Sequence, residues 1–196
     1  MSADNLFVAL LHHPVYNKQR KIVTTSVANM DVHDVSRAAR TYGVKRFYIV
    51  TPVAAQQNLV KLIRDHWQRG FGASYNPSRK EAFSIMHIKS SLEEVREDIR
   101  ILAGREAALV ATGASLRGDL VTFAKLREKL RDGAPYLIVL GTGWGIAEEI
   151  VAAADLRLEP VEGAGDYNHL SVRSAAAVIL DRLRGMRYQS TIANDQ

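Results

Sequence analysis

Cysteine is absent from this 196-residue chain, proline occurs five times, and aromatic residues make up only 7% of the whole. Without cysteine there is no disulfide scaffold, no iron–sulfur cluster and no thiolate zinc site. A reducing, cytoplasmic setting fits that absence. No apolar run reaches the roughly 18 residues that a membrane helix needs, so no membrane partner is expected. Met1–Leu11 has no basic start and carries Asp4, which speaks against a secretory signal. The histidines (His12, His13, His33, His66, His87 and His169) lack an HxxxH spacing with a nearby acid, and no metal is expected. A Gly-x-Ser-x-Gly elbow is missing, which excludes the usual serine hydrolase.

What is present is ordinary globular material, with 47% hydrophobic and 24% charged residues. Basic residues number 26 and acidic ones 21, a net charge of +5. That mild excess is compatible with a polyanionic partner without requiring one. The length implies one domain, placed at 1–184, followed by a polar tail over 185–196. Apolar runs at Leu6–Leu11, Arg46–Thr51, Ala107–Ala111 and Tyr136–Leu140 read as strands. Shorter candidates are Ile22–Val27, Phe83–Ile88 and Leu156–Leu158. Between them, Asp31–Tyr42, Ala54–Gln68, Leu92–Ala103, Thr122–Arg131, Ile146–Ala154 and Ser171–Leu183 carry helical periodicity. Gly70–Lys80 reads as a loop. Strand–helix alternation predicts an α/β fold, a mostly parallel sheet with helices on both faces. Ligands in such folds bind beyond the carboxyl ends of strands. Those ends are Thr51-Pro52, Thr112-Gly113, Gly141–Gly145 and Glu159–His169.

Three segments carry chemistry. The first is YLIVL-GTGWG-IAEEI, a glycine-rich turn between strand and helix that lets backbone approach a ligand. A dinucleotide fingerprint would require a third glycine where Ile146 stands, and a P-loop would require Gly-Lys-Ser/Thr. The second is Asp166–Leu180, a polar loop running into a helix of small residues at Ser174–Ala177. Small residues there admit a closely packed neighbour, and Ser171 or Asn168 serves as the cap. The third is Asn29–Arg40, where Asp34 and Arg37 share a helix face. An ordinary surface ion pair explains that pairing as well as a functional role does. Trp67 and Phe71, near Arg64, Arg69 and Arg79, could stack on bases or simply close a helix end on the core.

Taken in order, the Arg37 helix, LGTGWGIAEEI and YNHLSVRSAAAVIL resemble the SPOUT superfamily of S-adenosylmethionine-dependent RNA methyltransferases. Within it the chain is most similar to the small stand-alone domain related to bacterial tRNA guanine-N1 methyltransferases, over about residues 6–184. The resemblance implies a deep C-terminal trefoil knot, an exception to the rule that chains do not thread loops. It implies S-adenosylmethionine as cofactor, contacted by Thr112, Gly113, Leu140, Gly141, Gly143, Gly145, Leu158, Glu159, His169, Leu170 and Ser171. Arg37 would orient a phosphate or ribose, and Asp31 or Asp34 would be the base. Glu159 or Asp166 would balance the sulfonium charge. A homodimer through the C-terminal helix and a tRNA or rRNA substrate are implied too. Lys18, Arg20, Lys21, Arg79 and Lys80 are the cations expected to face RNA. The family's Asn–x–Gly reads Asp31-Val32-His33 here, which keeps a catalytically silent cofactor- or RNA-binding dimer as the alternative. An NAD-dependent dehydrogenase rests on the glycine turn alone.

Overall fold

The computed structural model describes residues 5–186, so most of the expected tail at 185–196 lies outside the described residues. In chain order the elements are β1 (Leu6–Leu11), β2 (Val15–Tyr16), β3 (Ile22–Val23), α1 (Asn29–Thr41), β4 (Arg46–Val50), α2 (Ala54–Gln68), α3 (Phe71–Tyr75) and α4 (Pro77–Ser84). Then come β5 (Met86–Lys89), α5 (Leu92–Ala103), β6 (Ala108–Ala111), α6 (Phe123–Lys129), β7 (Tyr136–Gly141), α7 (Glu148–Ala152), β8 (Leu156–Arg157) and α8 (Val172–Arg184).

Six strands form one sheet in the order β5-β4-β1-β7-β6-β8, with every pairing parallel. β1 is central and completely buried, which is why LFVALL carries no polar residue at all. Its alternate side chains serve two cores. Leu6, Val8 and Leu10 pack with Val32, Val35, Phe123, Leu126, Ile179 and Leu183 under α1, α6 and α8. Phe7, Ala9 and Leu11 pack with Val95, Ile99, Ile150 and Val151 under α5 and α7. Helices therefore cover both faces, as the alternation predicted.

The chain leaves β1 toward β4 and β5 on one side and later fills β7, β6 and β8 on the other. The reversal falls between β1 and β7, whose register sets Leu11 opposite Gly141. A crevice at the carboxyl ends of these two strands is where such sheets take ligands.

Several local expectations change. Gly70–Lys80 is helical in two pieces, because Asn76 accepts the Arg79 amide as an N-cap and Pro77 fits the first turn. Phe83 belongs to α4, and the strand starts only at Met86. Ile22–Val27 contributes two strand residues, paired with β2 in a hairpin outside the main sheet. α1 starts at Asn29, two residues before the expected start at Asp31, so Asp31 lies inside its first turn.

Candidate functional site

The segments that follow β1 and β7 meet at the carboxyl ends of the two strands. Thr142 continues β7, and its hydroxyl donates to the Leu11 carbonyl at 2.9 Å. With that proton committed, the 2.5 Å contact between Thr142 Oγ1 and Thr25 Oγ1 has Thr25 as its donor. Thr25 then accepts from His12 Nδ1, 3.1 Å away. The Thr25 hydroxyl also reaches the His12 carbonyl at 3.4 Å, and the other ring nitrogen is His12 Nε2. That atom is buried and has no hydrogen-bond partner. Burial outweighs the Asp31 carboxylate and a Ser26 backbone hydrogen bond and draws the imidazole down to about 4. His12 is thus a neutral, completely buried imidazole at the switch point. Its only mark in the sequence is its place directly after the central strand.

Beside it lies the start of α1. The Asp31 carboxylate is nearly buried, and its Oδ1 accepts from Arg173 Nη1 at 3.1 Å. Arg173 Nε stands 3.6 Å from Asp34 Oδ2. The first contact joins residues 142 positions apart, and together they bring the first turns of α1 and α8 into contact. Arg173, missed by sequence reasoning, is a cation in the first turn of a helix whose cap was expected. Indeed Ser171 accepts from the Ser174 amide at 3.3 Å. Ala176, amid the small residues of that helix, is buried in the core that α8 shares with α1. Arg37 is exposed on α1, and among the described residues no hydrogen bond or ion pair engages it.

Several of the expected cofactor residues stand at the carboxyl ends of β6, β7 and β8. Thr112 follows β6, and its hydroxyl donates to the Val139 carbonyl at 2.8 Å. Leu140 and Leu158 are buried, with the Leu158 amide on the Ala111 carbonyl at 2.9 Å. The glycines differ in what they are for. A Cβ on Gly141 would lie 2.8 Å from the Ile146 amide, and one on Gly143 2.8 Å from the Tyr16 carbonyl. Gly143 at φ +60° therefore serves the seating of the turn on the β2 segment, where the Trp144 amide donates to Tyr16 at 2.8 Å. Gly145, at φ +102°, faces open space, as does Gly165. Gly113 stands against Leu116 alone.

Glu159 does not face the crevice in the way a counter-charge would. Its Oε1 accepts the Phe123 amide at 2.6 Å and closes the start of α6. Asp166, His169 and Leu170 lie exposed on the loop before α8, where the Tyr167 ring meets His169 edge-on at 5.4 Å.

Of the cations expected to face RNA, Lys18, Arg20 and Lys21 occupy the turn joining β2 to β3, and Arg79 and Lys80 lie on α4. They make two groups rather than one patch. Arg20 lies 3.9 Å over the Tyr16 ring, and Arg79 lies 4.6 Å over Trp67. Trp67 is consequently a covered core ring and not an open stacking surface.

The lining fits a cationic cofactor. Of the eleven residues expected to hold it, none is lysine or arginine, and the nine other than Glu159 and His169 are uncharged. Among the described residues no cluster of three or more His, Asp or Glu side chains could hold a metal ion. Likewise none of their helices is long and apolar enough to cross a membrane.

Comparison with known proteins gives a consistent picture. The profile of a family described as SAM-dependent RNA methyltransferase matches residues 5–185. An uncharacterised protein of Aquifex aeolicus is 42% identical over 184 residues, covering 93% of this chain and 90% of that protein. A tRNA (guanine-N(1)-)-methyltransferase of Oleidesulfovibrio alaskensis is 40% identical over 181 residues, covering 92% of this chain. This chain spans 42% of the length of that enzyme. Among solved structures, a probable methylase family protein from Haemophilus influenzae superposes with a TM-score of 0.64 at 18% identity, over 98% of this chain and 70% of that one. The SpoU methyltransferase AviRb from Streptomyces viridochromogenes, in complex with AdoMet, gives 0.60 at 20% identity over 94% and 58%. At such identities the likeness concerns the fold.

Proposed function

This chain belongs to the SAM-dependent RNA methyltransferase family, and from that premise we propose that it methylates a tRNA nucleotide at the crevice between β1 and β7. The observation that carries the site is the meeting of Asp31, Asp34 and Arg173 beside the buried His12. The tRNA class follows the activity for which the Oleidesulfovibrio relative is named, over the segment it shares with this chain.

S-adenosylmethionine supplies the methyl group, carried on a sulfonium. The residues that would hold it are the glycine turn at Gly141–Gly145, Thr112-Gly113, Leu158 and the His169-Leu170-Ser171 approach to α8. Their neutral lining neither repels the sulfonium nor competes for it. Asp31 takes the proton that the acceptor atom loses. Its Oδ1 is steadied by Arg173, which leaves Oδ2 to receive that proton. Arg173 also holds Asp34 and so fixes the spacing of the two carboxylates. Arg37, with no hydrogen bond or ion pair among the described residues, offers its fork to a phosphate of the RNA. His12 stands beside Asp31 as a buried, neutral imidazole.

Two further features complete the proposal. The segment from β7 through α8 threads as a trefoil knot within one domain spanning 1–184. The chain works as a homodimer, with exposed Met30 beside α8 and Leu170 at its start in the seam. Burying such side chains against a second copy would remove apolar surface from water. Light scattering of the purified protein tests this, with twice the chain mass expected.

Transfer of labelled methyl from S-adenosylmethionine to unmodified tRNA tests the activity. Incorporation that disappears in Asp31→Asn is expected. Cofactor binding with no incorporation into any RNA would leave a silent binding dimer in place of the enzyme.

A further inference from the structure

α3 presents two aromatic rings that none of the described residues covers. Phe71 is 73% and Tyr75 74% exposed. The rings stack on each other, with centroids 5.6 Å apart and planes at 23°. One helical turn separates them, so they share a face. The opposite face is pinned. Gly72 is buried, and a Cβ there would come within 2.6 Å of the Trp67 ring and 2.8 Å of His66 Nε2. That close approach seats α3 on the end of α2 and turns both aromatic rings outward.

The surroundings are cationic. Arg79 covers Trp67, whose ring meets His33 edge-on at 5.6 Å. His33 is lowered first by burial, then by the charges of Arg79 and Arg37 acting against Asp34. The exposed arginine of α1 is therefore a neighbour of this cluster. Nearby carboxylates are already engaged, Asp65 by Arg64 and Arg69, Glu81 by Arg40, and Asp34 by Arg173. Among the described residues Arg37, Arg79 and Lys80 have no carboxylate partner.

We propose that the Phe71–Tyr75 pair is a stacking platform for unpaired bases of the RNA substrate, with Arg79, Lys80 and Arg37 taking the adjoining phosphates. The proposal rests on the RNA methyltransferase reading. It adds that the substrate segment is single-stranded and crosses α3 and α4. Stacking needs only the π face of a base, which a paired duplex keeps inside its own stack. Exposed rings bordered by unpaired cations suit an anionic chain of flat bases. The core of a protein interface would share the rings and the arginines but be depleted of lysine, and contact between copies is one outcome of the test.

Binding of the full chain to labelled oligouridine, to a hairpin with an unpaired loop and to a blunt duplex, followed by anisotropy, tests the proposal. Phe71→Ala and Tyr75→Ala should each weaken binding to the single strand and the hairpin about fivefold or more, and leave duplex binding unchanged. Phe71→Trp and Tyr75→Trp should restore it. Both rings are exposed, and thermal melting confirms that the variants fold. Arg79→Ala and Lys80→Ala should instead reduce the slope of log affinity against log salt by roughly 0.7 each. If the wild-type chain binds no RNA, the RNA reading and the platform both fall. If it binds RNA and the alanine variants bind equally well, the platform alone falls. Loss of dimers in the double alanine variant with RNA affinity intact would also overturn it, assigning the rings to contact between copies.

Discussion

Two carboxylate–arginine clusters flank the sheet, and they differ in how completely they are satisfied. On the side of α5, Asp98 accepts from Arg46 at 2.5 Å and from the Tyr48 hydroxyl at 2.7 Å on one oxygen. Its other oxygen accepts from Lys89 at 3.0 Å. Burial alone would raise this carboxyl, yet the three donors overcome it and hold it at about 2. Asp31, across the sheet, has its hydrogen bond on one oxygen only and a second carboxylate, Asp34, sharing the same arginine. Next to it stands a buried nitrogen with no partner. A cluster with every site filled has nothing left to offer a ligand and serves the fold. One with an open oxygen and an unpartnered nitrogen beside it keeps capacity for chemistry.

The largest effect that would break this contrast is catalytic. Asp31→Asn should lower methyl transfer by about a hundredfold or more, the usual worth of a positioned base. Its melting temperature should stay within a few degrees of the parent. Asp98→Asn should do the reverse, costing about 2 kcal/mol and roughly 4–8 °C in melting while the rate per folded molecule is unchanged. If thermal melting and rate assays give these two variants the same profile, the clusters are not different in kind.

Acid sharpens the same comparison. The Asp98 carboxyl is depressed in the folded state, so its contribution is complete above the unfolded value near 4 and is lost as pH falls toward about 2. His12 and His87 are both lowered to about 4 by burial, helped at His87 by Arg46 and Lys89. The unfolded chain binds protons there first, so stability should decline from pH 6.5 down to about 4. Urea titrations across pH should show two descending limbs. Asp98→Asn should erase the lower one, and His12→Gln should flatten the upper one.

The smallest effect separates two glycines. Gly143→Ala meets both a positive φ and the Tyr16 carbonyl, whereas Gly145→Ala meets only the positive φ. Denaturant melts should place the first about 1 kcal/mol or more below the second. Cofactor affinity should fall more in Gly145→Ala relative to its stability loss, since that glycine faces open space.

The sheet was legible because its central strands are buried on both faces and leave continuous apolar runs. LFVALL and YLIVL admit no other reading once helices separate them. The 70–80 segment was misread because Gly70, Gly72 and Pro77 are turn residues by composition. In the fold Gly72 allows close packing on Trp67, and Pro77 starts a helix. Arg173 was invisible because a pair spanning 142 positions leaves no local pattern. His12 lacked a signal for the same reason, since its Nδ1 contact is with Thr25 and runs on to Thr142.

The sequence by itself determined the α/β class, the strand ends where ligands gather and the family, because periodicity and short motifs act over a few residues. Only the tertiary structure decided that Glu159 closes a helix, that Gly143 answers to Tyr16, and that Asp31 meets Arg173. Each of those depends on which distant backbone comes within hydrogen-bonding reach, and the packing of the two cores sets that.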